Sequence, residues 1–132
     1  MTPQSSPLDP RAADVYTLDF TNQLGPGETL ASIVEVSVAL VAGQDPNPSA
    51  FLPAVPPPAI NTAATSAKLP AVPGMYPAQQ SVAIAAGCCI QGAMNTAATA
   101  VDGASYEITG VAQSTNPQRR LVCKLIVPVS AS

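Results

Sequence analysis

The sequence contains no histidine and no tryptophan, and only 10% of its 132 residues carry a charge. Histidine is the commonest general base and a frequent zinc ligand, so its absence removes the usual starting points for catalysis and for a zinc site. We therefore predict that the protein is not an enzyme, that it has no catalytic or metal-binding residues, and that it needs no cofactor. A typical globular domain has about 25% charged residues, so this surface is either small and neutral or covered by partners.

Basic and aromatic residues are also scarce, with five of each, and the net charge is −3. Nucleic-acid binders neutralise phosphates with Lys and Arg and stack bases on aromatic rings. We expect no nucleic-acid partner. No apolar run reaches the roughly 18 residues that cross a bilayer, so we expect no membrane partner either. The polar, proline-containing start lacks the features of a secretory signal, which predicts synthesis in a cytoplasm.

The three cysteines are Cys88, Cys89 and Cys123. An odd number with an adjacent pair is unlike the disulfide framework of a secreted domain. A nucleophilic role would need an activating partner, and only distant lysines or carboxylates are available. We interpret all three as small thiols buried in core strands. A bond from Cys88 or Cys89 to Cys123 could join two facing sheets, but a reducing compartment disfavours it.

Alternating polar and apolar residues predict strands in both halves of the chain. The predicted strands cover 15–20, 28–41, 81–86, 88–93, 105–114 and 119–129. Strand 88–93 is expected to continue strand 81–86 after a bend at Gly87. Turn signals stand at Gly25-Pro26-Gly27, Asp102-Gly103 and Asn116-Pro117. With no helical segment, this pattern predicts an all-β protein, specifically an immunoglobulin-like antiparallel β-sandwich.

The period of two along each strand predicts which side chains share a face. Four apolar sets result: Tyr16, Leu18 and Phe20; Val34, Val36, Val38 and Leu40; Tyr106, Ile108, Gly110 and Ala112; and Leu121, Cys123, Leu125 and Val127.

Two proline-rich stretches interrupt this pattern. Residues 1–14 are predicted to form a flexible or extended N-terminal arm, and residues 15–132 a single domain. Within that domain, residues 43–80 contain nine prolines, which exclude a central strand or a long helix. This segment is more apolar than a solvated linker, so we predict an extended arm that packs on neighbouring subunits; the alternative is an excursion across the domain's own surface. The candidate interface residues are Phe51, Leu52, Val55, Ile60, Leu69, Val72, Met75 and Tyr76.

Arg119-Arg120 is the one basic cluster and completes the set of candidate interface residues. It either discourages edge pairing at the end of a hairpin or forms a salt bridge to an acidic neighbour across an interface. Glu28 follows a turn, and we interpret it as a solvated strand end. The sequence Asn-Thr-Ala-Ala-Thr occurs at 61–65 and again at 95–99, which we interpret as low-complexity loop sequence.

Two groups of motifs resemble the fiber-tail adaptor family of tailed bacteriophages. The first is Leu18-Asp19-Phe20, Leu24 and Gly27-Glu28-Thr29-Leu30-Ala31-Ser32 leading into a valine-rich strand. The second is Gly103-Ala104-Ser105-Tyr106-Glu107-Ile108-Thr109, followed by a turn and Arg119-Arg120-Leu121-Val122-Cys123-Lys124-Leu125-Ile126-Val127. The resemblance covers roughly residues 15–40 and 82–129. The chain departs from the family in its insert at 43–80 and in the Asn116-Pro117-Gln118 turn, which lacks the usual glycine.

The resemblance implies a small immunoglobulin-like structural protein of the virion, present in many copies in a ring. The expected function is an adaptor that links tail or baseplate to fibers or to neighbouring tail proteins. Its expected partners are other virion proteins, and its location is the tail or neck after synthesis in the host cytoplasm. The alternatives are a capsid decoration or cement protein or a head-to-tail neck protein of the same fold, a soluble carbohydrate- or peptide-binding module, and, least favoured, an enzyme.

Overall fold

The computed structural model describes residues 4–5, 7–69 and 80–131. The described chain contains eight strands and two short 3-10 helices. The strands are β1 (Asp14–Asp19), β2 (Leu30–Ala42), β3 (Ala59–Ile60), β4 (Thr65–Leu69), β5 (Gln80–Ile84), β6 (Cys89–Met94), β7 (Ser105–Ser114) and β8 (Arg120–Pro128). The helices are Thr21–Gln23 and Pro48–Phe51. The prediction of an all-β protein is confirmed.

The strands form two sheets of three strands and one ribbon of two. The orders are β1-β6-β3, β2-β7-β8 and β4-β5. All pairs of these strands are antiparallel. The turns that separate neighbouring strands lie where the sequence predicted them, and Gly27 and Gly103 both adopt the positive φ that a residue without a side chain tolerates best.

The core lies where the two three-stranded sheets face each other. One sheet contributes Leu18 and Ile90, and the other contributes Ile108, all at most 1% exposed. A Cβ at Gly110 on β7 would lie only 2.5 Å from Cδ1 of Leu18 on β1. The glycine therefore lets the two sheets approach closely at this point.

One residue of the inward face predicted for β2, Val34, is misplaced, because the strand contains a bulge. The pairing of β2 with β7 shifts between Ile33 and Glu35. The extra residue reverses the alternation, so Ile33 and Val36 pack on the core whereas Val34 is 47% exposed. Beyond the bulge the alternation resumes, and Val38 and Leu40 pack on the core as predicted.

The described part of the N-terminal arm is docked rather than flexible. Gln4 and Leu8 form parallel bridges with Ile126 and Val129, at the free edge of β8. The Leu8 N–H donates to the Pro128 carbonyl at 2.9 Å, and Leu8 is only 5% exposed. Burial of this one leucine and the backbone hydrogen bonds fix a segment that was predicted, from its prolines and polar residues, to be flexible or extended.

The proline-rich segment is less uniform than predicted. Its described part contains the 3-10 helix Pro48–Phe51 and the strands β3 and β4. Neither strand lies inside a sheet, since β3 is an edge strand and β4 belongs to the ribbon. Within residues 43–69, the described part of the segment before β5, no strand is central. The two predicted strands around Gly87 are separate, because β5 pairs with β4 whereas β6 pairs with β1 and β3.

Candidate interaction surface

Residues 52–58, here called the strap, connect the 3-10 helix Pro48–Phe51 to β3. The strap begins directly after Phe51, which is 1% exposed. The Phe51 ring stacks on Tyr106 with centroids 4.2 Å apart and an interplanar angle of 5°. The Tyr106 hydroxyl in turn donates to a carboxylate oxygen of Asp45 at 2.5 Å. Phe51, predicted as an interface residue, is thus a core residue that fixes one end of the strap.

Asn61 fixes the other end of the strap. Its side-chain oxygen accepts hydrogen bonds from the backbone N–H groups of Cys88 and Cys89, both at 3.1 Å. Its amide nitrogen donates to the carbonyls of Ala63 and Ala85 at 3.0 and 2.9 Å. All four hydrogen bonds stabilise the chain where it leaves β3, whose residues Ala59 and Ile60 pair with β6.

Between these fixed ends the strap is exposed. Val55 is 81% exposed, the highest value among the exposed large hydrophobic residues in the described part of the chain, and is flanked by Ala54 and Pro56. The strap closes one side of a pocket of about 260 Å³. The lining residues are Tyr16, Val36, Leu52, Pro53, Ala54, Pro56, Pro58 and Ala93. An exposed apolar loop and a pocket of mixed polar and apolar surface thus lie side by side.

Tyr16 is the pocket-lining residue whose side chain has a hydroxyl group. Its ring lies over Gly92, its cross-strand partner on β6, where a Cβ would come within 2.6 Å of the Tyr16 Cζ atom. Burial raises the pKa of Tyr16 to about 12, so the phenol is a neutral hydrogen-bond donor at physiological pH.

The remaining predicted interface residues are dispersed. Leu52 lies in the pocket wall and Ile60 is half-buried against the core. Leu69 ends strand β4. Val72, Met75 and Tyr76 lie outside the described residues.

Arg119 pairs with an acid of its own chain. One of its guanidinium nitrogens donates to Glu28 Oε1, and the other donates to the Gln23 carbonyl at 2.7 Å. The second Glu28 oxygen accepts from the Ser114 hydroxyl, and Oε1 also accepts from the Gly25 N–H at 2.8 Å. This network joins the turn before β2 to the turn before β8.

The interpretation of Glu28 as a solvated strand end is therefore wrong. Its side chain is only 10% exposed. The Gly25 N–H, the Ser114 hydroxyl and the Arg119 guanidinium together hold the pKa of the Glu28 carboxyl below its usual value. Arg120, by contrast, is exposed at the start of β8. None of the hydrogen bonds of Arg119 reaches the strap, so the structure does not bring the basic cluster and the strap into one site.

The three cysteines are unlinked thiols. Cys88 and Cys89 are buried in a small second cluster with Ile84, and Cys123 is half-buried on the inward face of β8. Burial raises the pKa of Cys89 and of Cys123 to about 11. At neutral pH both are protonated, which makes them poor nucleophiles.

The repeated sequence Asn-Thr-Ala-Ala-Thr begins at Asn61 and at Asn95, and both asparagines have structural roles that the sequence prediction did not identify. Asn95, the counterpart of Asn61, is 1% exposed and has a positive φ of 57°. Its amide donates to the carbonyls of Pro10 and Ala12, and its oxygen accepts from the Ala100 N–H. The signal was present, since asparagine is the residue that both tolerates a positive φ and hydrogen-bonds nearby backbone.

In the residues that the structure describes, no group of three or more His, Cys, Asp or Glu side chains could hold a metal ion. The same residues include no helix long and apolar enough to cross a membrane. No protein-family model, curated protein or solved structure matches the chain.

Proposed function

We propose that this protein is a structural virion protein of a tailed phage, an adaptor that joins tail or baseplate to fibers or neighbouring tail proteins through the strap. The observation that carries the proposal is the strap itself. It is fixed at both ends, by Phe51 and Asn61, yet exposes the apolar side chain of Val55 beside a pocket. A loop that is already ordered loses little conformational entropy on binding, which favours an interface.

The size and chemistry of the pocket favour a protein partner over a small molecule. Small-molecule sites usually enclose roughly 300–1,000 Å³, and this pocket encloses about 260 Å³. Such a pocket suits one apolar side chain of a partner, with the Tyr16 hydroxyl available to a carbonyl beside it. The low fraction of charged residues agrees with a surface that is covered in the working state.

The arrangement of strands supports an immunoglobulin-like sandwich as the specific fold. Two antiparallel sheets face each other across one core, and hairpin β7–β8 supplies two of the three strands in one sheet. Chain reversals between sheets, from β1 to β2 and from β2 to β3, are the crossings that such a sandwich uses. The motif resemblance at 15–40 and 82–129 falls on these same strands, outside the strap.

The test follows an epitope-tagged chain through phage assembly. Particles are separated from free protein on a density gradient and then dissociated into heads and tails. We expect the chain in intact particles and in the tail fraction, and we expect Val55→Lys to reduce its incorporation without unfolding it. Ala97→Lys, at an exposed loop position, is the matched control. A chain found only as free protein contradicts the proposal, and one found with heads supports a decoration protein instead.

A further inference from the structure

The strap is too short to form a stable interface by itself. Specific protein–protein interfaces use about 20–30 residues from each partner, whereas the strap consists only of residues 52–58. A partner bound at the strap therefore also covers a surface next to it. The pocket beside the strap has walls from both sheets, namely Tyr16 and Ala93 from β1 and β6 and Val36 from β2. The contact can thus continue onto the outer face of either sheet.

The outer face of the β2-β7-β8 sheet is charged. It carries two acids and two bases at outward positions: Glu35, Glu107, Arg120 and Lys124. The Lys124 Nζ atom lies 3.8 Å from Glu107 Oε1, and the two side chains are 49% and 22% exposed. Covering such groups with an uncharged partner removes the water that solvates them, which is costly. This face is therefore suited to solvent.

The outer face of the β1-β6-β3 sheet is neutral along its strands. The structure describes these three strands in full, and their only charged residues, Asp14 and Asp19, stand at the two ends of β1. The exposed or half-buried outward residues, here called the neutral face, are Val15, Thr17, Ala59, Gln91 and Ala93. Gln91 Nε2 donates to Thr17 Oγ1 at 3.2 Å. Because these two polar side chains are paired with each other, they cost less to bury than free polar groups.

The neutral face is continuous with the strap. Val15 is 58% exposed, second to Val55 among the exposed large hydrophobic residues of the described chain. Its partner across the strand pair is Ala93, which also lines the pocket beside the strap. Neither the strap nor the pocket lining contains a charged residue. The strap, the pocket and the neutral face therefore form one connected surface without charge.

We propose that the virion protein bound by the strap also covers the neutral face, through an uncharged and flat surface of its own, while the outer face of the β2-β7-β8 sheet stays in water. This inference rests on the proposed function and adds to it which of the two sheets faces the partner. A flat surface can approach closely, because the side chains of the neutral face are short except for Gln91, whose amide is held by Thr17. A charged surface fits less well, because the neutral face offers it no opposite charge.

Two valines provide a matched test, because Val15 and Val122 lie on the outer faces of different sheets and are 58% and 47% exposed. Each is changed to lysine, and each full-length variant competes with the wild-type chain for incorporation into particles. We expect Val15→Lys to lower incorporation by about tenfold or more, because its ammonium group loses water against an uncharged partner. Val122→Lys should lower it by less than about twofold. Urea midpoints of the free chains show whether both variants remain folded.

Photo-crosslinking gives a second readout, which decides the matter if Val15→Lys does not fold. A benzophenone amino acid at position 15 should form an adduct with the same virion protein as one at position 55, and one at position 122 should form none. The inference is overturned if folded Val15→Lys is incorporated as well as Val122→Lys, or if position 15 yields no adduct while position 55 does. In both cases the proposed function stands, because the strap still binds its partner. A chain that is absent from particles overturns both.

Discussion

Asn95 connects two backbone segments from inside the loop that follows β6. Its side chain is hydrogen-bonded to Pro10, Ala12 and Ala100. It thereby ties the chain ahead of β1 to the loop between β6 and β7. Because the residue is buried with a positive φ, a substitution loses the hydrogen bonds and also strains the backbone.

We expect Asn95→Ala to lower the free energy of unfolding by about 2–4 kcal/mol, from two or three buried hydrogen bonds and the cost of a positive φ. Urea unfolding measures this change. Asn22→Ala is the control, since Asn22 is exposed and its side chain has no hydrogen bond to a described residue. Equal losses in the two variants would contradict the structural role of Asn95.

Gly110 sets the distance between the two sheets. Gly110→Ala forces its new Cβ against Leu18, so we expect a loss of about 1–3 kcal/mol from overpacking. In the double variant Gly110→Ala/Leu18→Ala the added methyl group enters the space that the leucine leaves. The double variant should therefore be more stable than the sum of the single losses predicts, as measured by a double-mutant cycle in urea. Strictly additive losses would show that the two residues do not contact each other.

Glu28 makes the free energy of unfolding depend on pH in the acidic range. Its pKa is lower in the folded chain than in the unfolded chain, so its contribution is fully present above the unfolded value of about 4.3 and is lost as pH falls through the folded value. We expect Glu28→Gln to be less stable than the wild type at pH 7 and the gap to narrow toward pH 3. Urea midpoints measured across this range test the prediction. A stability gap for Glu28→Gln that stays constant with pH would refute the linkage.

The strap depends on what lies at its ends rather than on its own sequence. We expect Phe51→Ala to cost about 3–5 kcal/mol, because it removes a fully buried ring that stacks on Tyr106. Val55→Lys, only four residues away, should leave the urea midpoint almost unchanged, because Val55 is 81% exposed. Similar losses in the two variants would mean that the strap is part of the core and not a surface for a partner.

The strands could be predicted from the sequence because alternation is a local property. Strands β7 and β8 appear within a residue or two of their predicted bounds, and their inward faces are as predicted. Val34 was misplaced because its bulge arises from the pairing of β2 with β7, whose residues are distant in the sequence.

The polar residues that connect distant segments were harder to predict. Asn95 bonds to residues 83 and 85 positions earlier, and Arg119 reaches Glu28 across 91 positions. The repeated Asn-Thr-Ala-Ala-Thr sequence draws attention to Asn61 and Asn95 but does not reveal their distant partners, and Glu28 looks like any acid after a turn. The strap's apolar residues were recognised, but only the structure separates the buried Phe51 from the exposed Val55.

In the molecule as a whole, the packed core and the exposed strap are distinct parts. The facing sheets hold the strap at both of its ends, through Tyr106 of β7 at one end and through the pairing of β3 with β6 at the other. In the proposed assembly, the strap binds a different virion protein.

Site-specific photo-crosslinking in purified particles tests the role of the strap most directly. A benzophenone amino acid replaces Val55 in one version of the chain and Ala97 in another, both at exposed positions. After irradiation, we predict a covalent adduct between position 55 and a different virion protein, and none from position 97. Particles that contain the chain but yield no adduct from position 55, or particles that never contain the chain, would contradict the account.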